Sequence, residues 1–306
     1  MIRFRLSVFL LIFLPFLGLA QKTPERELIE SGILKAKLGD FQAALKDFSQ
    51  AVSLDSNQAE PYYNRGIVYS ELGDYYKAIN DFSKVILLLP SYPEPYYSRG
   101  LAKDYLKDFI GAIKDYSKAI LLKADYPDAY HNRGLAELDL GNNNDALQDF
   151  TRAIEYKPDF SEAFYNRGLS RFNLSDFKGA ISDFNTAIGL DTTQYEYFSS
   201  RGAAKAATGN YEDAIRDFSI ALNIQPSDLN TQKNLGLAFI YLKKYREALD
   251  IYNQLLEIVA TDPDMLTNRG VAKNFLGDKT GACEDWENAS QFGSEKGKNF
   301  YLKFCN

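Results

Sequence analysis

The stretch AEPYYNRGIVYSELGDYYKAINDFSKVILLLPSY, Ala59 to Tyr92, decides the fold, because the rest of the chain is this stretch again with changes. A glycine, usually preceded by arginine, stands at Gly66, Gly100, Gly134, Gly168, Gly202, Gly236 and Gly270, each 34 residues after the last. One step back gives Gly32, so the period predicts eight repeats. A strict period of this length marks a chain that grows by stacking small units and has no single round core.

Inside the quoted repeat the pattern predicts one helix over Glu60 to Glu71 and a second over Tyr75 to Leu88, with Leu72-Gly73-Asp74 as the turn. Gly73 suits a left-handed residue after the first helix, and Asp74 can cap the second. Ala78, Ile79, Phe82, Val85 and Ile86 follow the three-four spacing of an apolar helical stripe. Pro90 and Pro93 stop the second helix, while Pro61 and Pro95 fall in a first turn, where a missing N–H costs little. A helix-interior glycine such as Gly66 costs about 1 kcal/mol relative to alanine. Eight of them require a packing reason. Twelve residues after each stands an alanine, from Ala44 and Ala78 to Ala282, which predicts glycine facing alanine across an antiparallel hairpin. Four residues further comes a ring every time: Phe48, Phe82, Tyr116, Phe150, Phe184, Phe218, Tyr252 and Trp286.

These residues resemble the tetratricopeptide repeat (TPR), and the likeness runs from about Glu25 to Phe292. Departures are local. Lys107, Ser175 and Lys243 replace the turn glycine, and Asn143 and Lys279 replace the ring that opens the second helix. The resemblance implies an all-α chain, an α-solenoid of antiparallel helix pairs wound as a TPR superhelix. Repeats are expected over 25–58, 59–92, 93–126, 127–160, 161–194, 195–228, 229–262 and 263–292 within a repeat region 21–292. A stack exposes apolar faces at its ends. The segment 293–306 is therefore read as a C-terminal capping helix, about Ser294 to Phe304, covering with Phe300, Tyr301 and Phe304.

The copies report on one another. Arg65, Arg99, Arg133, Arg167, Arg201 and Arg269 are each followed sixteen residues later by an aspartate: Asp81, Asp115, Asp149, Asp183, Asp217 and Asp285. In the seventh repeat both are lost together, to Leu235 and Ile251. That co-loss predicts an ion pair within each hairpin and a scaffold role for the arginines. In the first repeat Ser31 leaves Asp47 without such an arginine, and Arg65 of the next repeat is the candidate to serve it.

The first twenty residues are different material. Arg3 and Arg5 precede an apolar run from Leu6 to Leu17, and Gly18-Leu19-Ala20 offers small residues before a cut between Ala20 and Gln21. This reads as a secretory signal peptide over 1–20; its style resembles a bacterial leader, and that resemblance implies the periplasm or the outside of the cell. An uncleaved anchor is the alternative, although the run is short for a span of about 20 residues. The formal charge is −6, and removing Arg3 and Arg5 takes it to −8. An acidic chain without a basic face is not a nucleic-acid binder. The two cysteines, Cys283 and Cys305, lie on either side of the turn at Gly293. In an exported protein they suggest a disulfide holding the cap to the last repeat, with two free thiols as the alternative.

No catalytic constellation, phosphate loop, metal cluster or cofactor motif is legible. The single histidine, His131, has no cysteine near it in sequence, and an enzyme is not expected. In TPR proteins the first helices line the concave groove, so the resemblance implies contacts two, three and six residues before each glycine. These are the amides Asn64, Asn132, Asn166, Asn234 and Asn268; the rings Tyr63, Tyr97, His131 and Tyr165; and the acids Glu60, Glu94, Asp128 and Glu162. Lys233 alone resembles a residue of the carboxylate-clamp type. The sixth repeat offers instead a small-residue patch, Ser199, Ser200, Ala203, Ala206 and Ala207. The expected function is a non-catalytic protein–protein interaction scaffold that takes an extended neutral or basic polypeptide segment through amides, carboxylates and rings. The alternative is a periplasmic assembly or chaperone-like accessory factor for exported proteins.

Overall fold

The computed structural model describes residues 23–305, and the expected leader with its Ala20–Gln21 cut lies outside them. The described chain is helical, with no strand. Hairpins are formed by α1 (Pro24–Lys37) with α2 (Phe41–Leu54), α3 (Ala59–Glu71) with α4 (Tyr75–Leu88), α5 (Pro93–Tyr105) with α6 (Phe109–Leu122), and α7 (Pro127–Asp139) with α8 (Asn143–Tyr156). Then come α9 (Ser161–Asn173) and α10 (Phe177–Leu190), α11 (Tyr195–Ala207) and α12 (Tyr211–Ile224), α13 (Leu229–Tyr241) and α14 (Tyr245–Ile258), and α15 (Pro263–Phe275) and α16 (Lys279–Gln291). A final helix, α17 (Glu295–Phe304), packs on α15 and α16. The fold is an all-α solenoid of helix pairs with a C-terminal cap. It divides into two compact units, one ending at Ala163 and the other beginning at Phe164.

Local chemistry sets the helix ends. Asp40, Asp74, Asp108, Asp176 and Asp278 each accept from the backbone N–H three residues on, satisfying a donor that the first turn leaves free. The turn residue before each cap has positive φ. Lys107, Ser175 and Lys243 adopt the same left-handed backbone at φ 62°, 63° and 60°, so the turn keeps its shape where glycine is lost and carries the Cβ strain instead.

The atoms nearest the repeating glycine belong to the ring that flanks its contact with the alanine, and at Gly202 the Ala214 carbonyl is close as well. A Cβ on Gly66 would stand 2.8 Å from Cε1 of Phe82, and one on Gly100 would stand 2.7 Å from Cε1 of Tyr116. The same holds from Gly32 with Phe48 through Gly270 with Trp286. The glycine therefore makes room for the ring, while the alanine is buried alongside. All eight rings are essentially inaccessible to solvent.

The arginines pair within hairpins. Arg65 donates from Nε to Asp81 Oδ2 and from Nη2 to Asp81 Oδ1, both at 2.7 Å, and the other five pairs repeat this two-pronged geometry. The remaining nitrogen adds a link that the sequence did not announce. Nη1 of Arg65, Arg99 and Arg133 donates to Ser49, Ser83 and Ser117 on the preceding repeat's second helix, and Arg201 and Arg269 reach Asn185 and Asn253 in the same way. These five guanidiniums are thus staples between repeats. In the first repeat Asp47 is not served by Arg65. It accepts from Ser31 Oγ and from Lys35 Nζ, both at 2.6 Å, and these cations and hydroxyls hold its carboxyl below the ordinary range against the opposing effect of burial. Lys103, Arg171, Lys205 and Lys273, at the position of Lys35, likewise reach their hairpin's aspartate. Tyr69 and Glu137 stand there in repeats two and four. In those two repeats burial outweighs the single arginine and pushes Asp81 and Asp149 upward.

Cys283 on α16 and Cys305 at the end of α17 are joined as a disulfide, with Cα atoms 5.7 Å apart. Phe300 and Phe304 lie against Trp286, at ring separations of 5.3 and 5.7 Å. The cap thus covers the last repeat's ring and is tied to it covalently.

Candidate binding face

Residues two, three and six before each glycine all lie on first helices, the sixth about one turn from the adjacent other two. In the unit ending at Ala163 they occupy α3, α5 and α7 and the start of α9. The tyrosines are not the open rings that a wet groove would need. Tyr63 is 6% exposed; its hydroxyl lies 3.1 Å from Ser98 Oγ, and burial pushes its pKa up to about 12. The Tyr97 hydroxyl accepts from Asn132 Nδ2 at 2.8 Å, and its ring tilts against Tyr126 at 4.9 Å. His131 is 1% exposed between Phe150 and Phe160. Burial, aided by Lys157, depresses its pKa to about 3, so it is a neutral core ring.

These contacts form a ladder. The ring three before one glycine bonds the polar side chain two before the next, 35 residues on: Tyr63 to Ser98 and Tyr97 to Asn132 in one unit, Tyr165 to Ser200 at 3.3 Å in the other. The rungs were invisible in the sequence because each joins two different repeat offsets. They also explain Asn64, which is completely buried with neither amide atom in a hydrogen bond. Its partner would come from the first repeat, where Ile29 replaces the ring.

What the face leaves open is acidic. Asp128 is exposed and Glu94 partly so, each in the first turn of its helix, where a carboxylate also favours the positive end of the helix dipole. Glu162 accepts from Ser161 Oγ at 3.1 Å. Glu60 is more enclosed. It accepts from Arg26 Nη1 at 2.9 Å, and burial raises its pKa against that guanidinium.

In the unit beginning at Phe164, Tyr165 is buried against Tyr197 at 4.8 Å and Asn166 is fully buried. Lys233 is not a free clamp cation, since its Nζ lies 2.9 Å from Asp262 Oδ2. Asn234 is exposed, and Asn268 is half-buried and bonded to Tyr252. The small-residue patch of the sixth repeat is largely consumed. Ser199 bonds Thr231 at 2.6 Å, Ser200 bonds Tyr165, and Ala203 and Ala206 join an apolar cluster with Phe218 and Ala238.

Models of the tetratricopeptide repeat match residues 34–73 and 106–141, 59–92, 131–195 and 193–260. The chain belongs to the tetratricopeptide repeat family. Among solved structures, YrrB, described as a TPR protein with an unusual peptide-binding site, is 23% identical, with a TM-score of 0.54 over 60% of this chain and 95% of that one. A MamA protein is 26% identical, with a TM-score of 0.53 over 57% and 95%. The Cut9–Hcn1 assembly of the APC/C gives a TM-score of 0.62 at 16% identity, covering 87% of this chain and 53% of that one. No curated protein sequence matches significantly. No described helix is long and apolar enough to cross a membrane.

Proposed function

We propose that the chain is a non-catalytic, exported interaction scaffold that binds an extended neutral or basic polypeptide segment along its first-helix face. One observation carries this reading. On α5 and α7 the rings and amides are tied into the ladder, and the side chains left open beside them are the carboxylates Glu94 and Asp128. A row of carboxylates on a rigid support attracts cationic residues and repels acidic ones. The peptide-binding description of YrrB fits the same use of the fold. The assembly-factor alternative needs a continuous apolar face, and nothing favours it where the rings are packed away. Export rests on the leader pattern of residues 1–20. Binding of the protein to an array of decapeptides graded from acidic to basic tests the reading. Retention of neutral and basic peptides is expected, and selection of acidic ones overturns it.

A further inference from the structure

The second helices of repeats two and three turn large apolar side chains outward. Tyr76 and Leu87 on α4, and Ile110 and Leu121 on α6, are 72% to 76% exposed. Together with Leu38 they are the most exposed large apolar side chains among the described residues. They fall ten and twenty-one residues after Gly66 and Gly100. At both offsets every other repeat has a polar residue or glycine, as with Gln42 and Ser53 in the first repeat and Asn144 and Glu155 in the fourth. The fold therefore does not require apolar residues there, and two consecutive repeats of one compact unit have acquired them for another reason.

The same face is cationic. Eleven residues of helix put about 16 Å between the two apolar residues of each helix, on nearly the same side. Between them lie Lys84 on α4 and Lys114 and Lys118 on α6. The acidic residues within these two helices are Asp81 and Asp115, both buried against Arg65 and Arg99. The capping carboxylates are engaged at the helix starts, Asp74 by Lys77 and Asp108 by the Gly111 N–H. A second copy docked through this same face would set lysine against lysine, which is unfavourable. An anionic bilayer is a plane many helices wide and would also press on α8, where Asp145 and Glu155 are exposed. A strip two helices wide is matched by one helix, about 10–12 Å across with its side chains.

We propose that the outer face of α4 and α6 is a docking site for an acidic amphipathic helix of a partner protein. The partner's apolar stripe lies along Tyr76 and Leu87 beside Ile110 and Leu121, and its carboxylates meet Lys84, Lys114 and Lys118. The site is separate from the acidic first-helix face, so the chain offers two docking faces of opposite charge preference.

The probe is an alanine-based helical peptide with leucines at i, i+4, i+7 and i+11 and glutamates flanking them. One control peptide replaces every glutamate by lysine, and another scatters the leucines around the helix. Methyl NMR of Leu87, Ile110 and Leu121 in the whole protein reads the site. A saturable shift with the glutamate helix is expected, at least tenfold weaker with either control. Leu87→Ser with Leu121→Ser, the residue that Ser53 supplies in the first repeat, should weaken binding at least tenfold at an unchanged melting temperature. Lys114→Glu with Lys118→Glu should turn the preference toward the lysine helix. No shift with the glutamate helix, equal binding of the lysine helix, or indifference to the serine substitutions overturns the proposal. Binding to phosphatidylglycerol vesicles in place of the glutamate helix, lost in the serine variant, assigns the face to a membrane and also overturns it. A dimer that the serine substitutions abolish does the same in favour of a second copy. None of these substitutions touches Glu94 or Asp128, so the peptide preference of the first-helix face should persist in all of them.

Discussion

Gly66 and Phe82 compete for one volume: a Cβ on the glycine would stand 2.8 Å from the ring's Cε1 and 3.0 Å from Cδ1. Gly66→Ala should therefore destabilise by about 2 kcal/mol, despite alanine being the better helix former by about 1 kcal/mol. Gly189, in α10, has nothing within 4 Å of the same construction and an ordinary helical backbone. Gly189→Ala should stabilise by about 0.5–1 kcal/mol. Urea unfolding of the two variants checks both signs, and a stabilising Gly66→Ala contradicts the packing account.

The arginine staples predict strong coupling. Asp149 is held by Arg133 through Nε and Nη2, at 2.8 and 2.6 Å, and is buried. Removing either partner strands a buried charge, at about 3 kcal/mol. The double variant Arg133→Ala with Asp149→Ala should lose at least about 1 kcal/mol less than the sum of the singles in a denaturation cycle. Additive losses contradict the pairing.

Acid sensitivity should map in part to His131. Its folded pKa of about 3 lies below the ordinary 6.5, so between these values the unfolded chain takes up a proton that the folded chain refuses. The stability that this residue contributes is fully present above pH 6.5 and falls as pH drops toward 3, by at most about 1.4 kcal/mol per pH unit. His131→Tyr, the residue used at Tyr63, Tyr97 and Tyr165, removes this component. The stability difference between the variant and the parent should grow in the variant's favour from pH 7 to pH 4, and a pH-independent difference contradicts the assignment.

Cys283 and Cys305 close a loop with a sequence separation of 22. The unreduced, denatured protein should show no titratable thiol. Reduction should loosen the cap by about 3 kcal/mol on chain-entropy grounds. Two reactive thiols before reduction contradict the bond.

Most of the fold was legible because the repeat reports on itself. The fixed spacing of Gly66 and its counterparts gave the hairpins, and the joint loss at Leu235 and Ile251 gave the arginine–aspartate partners. What stayed hidden depends on side-chain direction. Helical side chains lean toward the N-terminus of their helix, so Phe82 covers the turn before its own Cα and meets Gly66 itself rather than only flanking its contact with Ala78. The burial of Tyr63, His131 and Tyr165 was hidden for a related reason. A residue's offset shows which helix face it occupies, but not how much of that face the next repeat covers. Lys35 escaped notice because it takes up Asp47 from one turn beyond the position of the usual arginine.

If open carboxylates on the first-helix face choose the partner's charge, reversing them reverses the preference. The double variant Glu94→Lys with Asp128→Lys keeps the Tyr97–Asn132 rung, because neither residue takes part in it. On the graded peptide array the parent protein should prefer basic and neutral decapeptides, and the double variant should shift to acidic ones while its melting temperature changes little. An unchanged preference in a folded double variant would contradict the account.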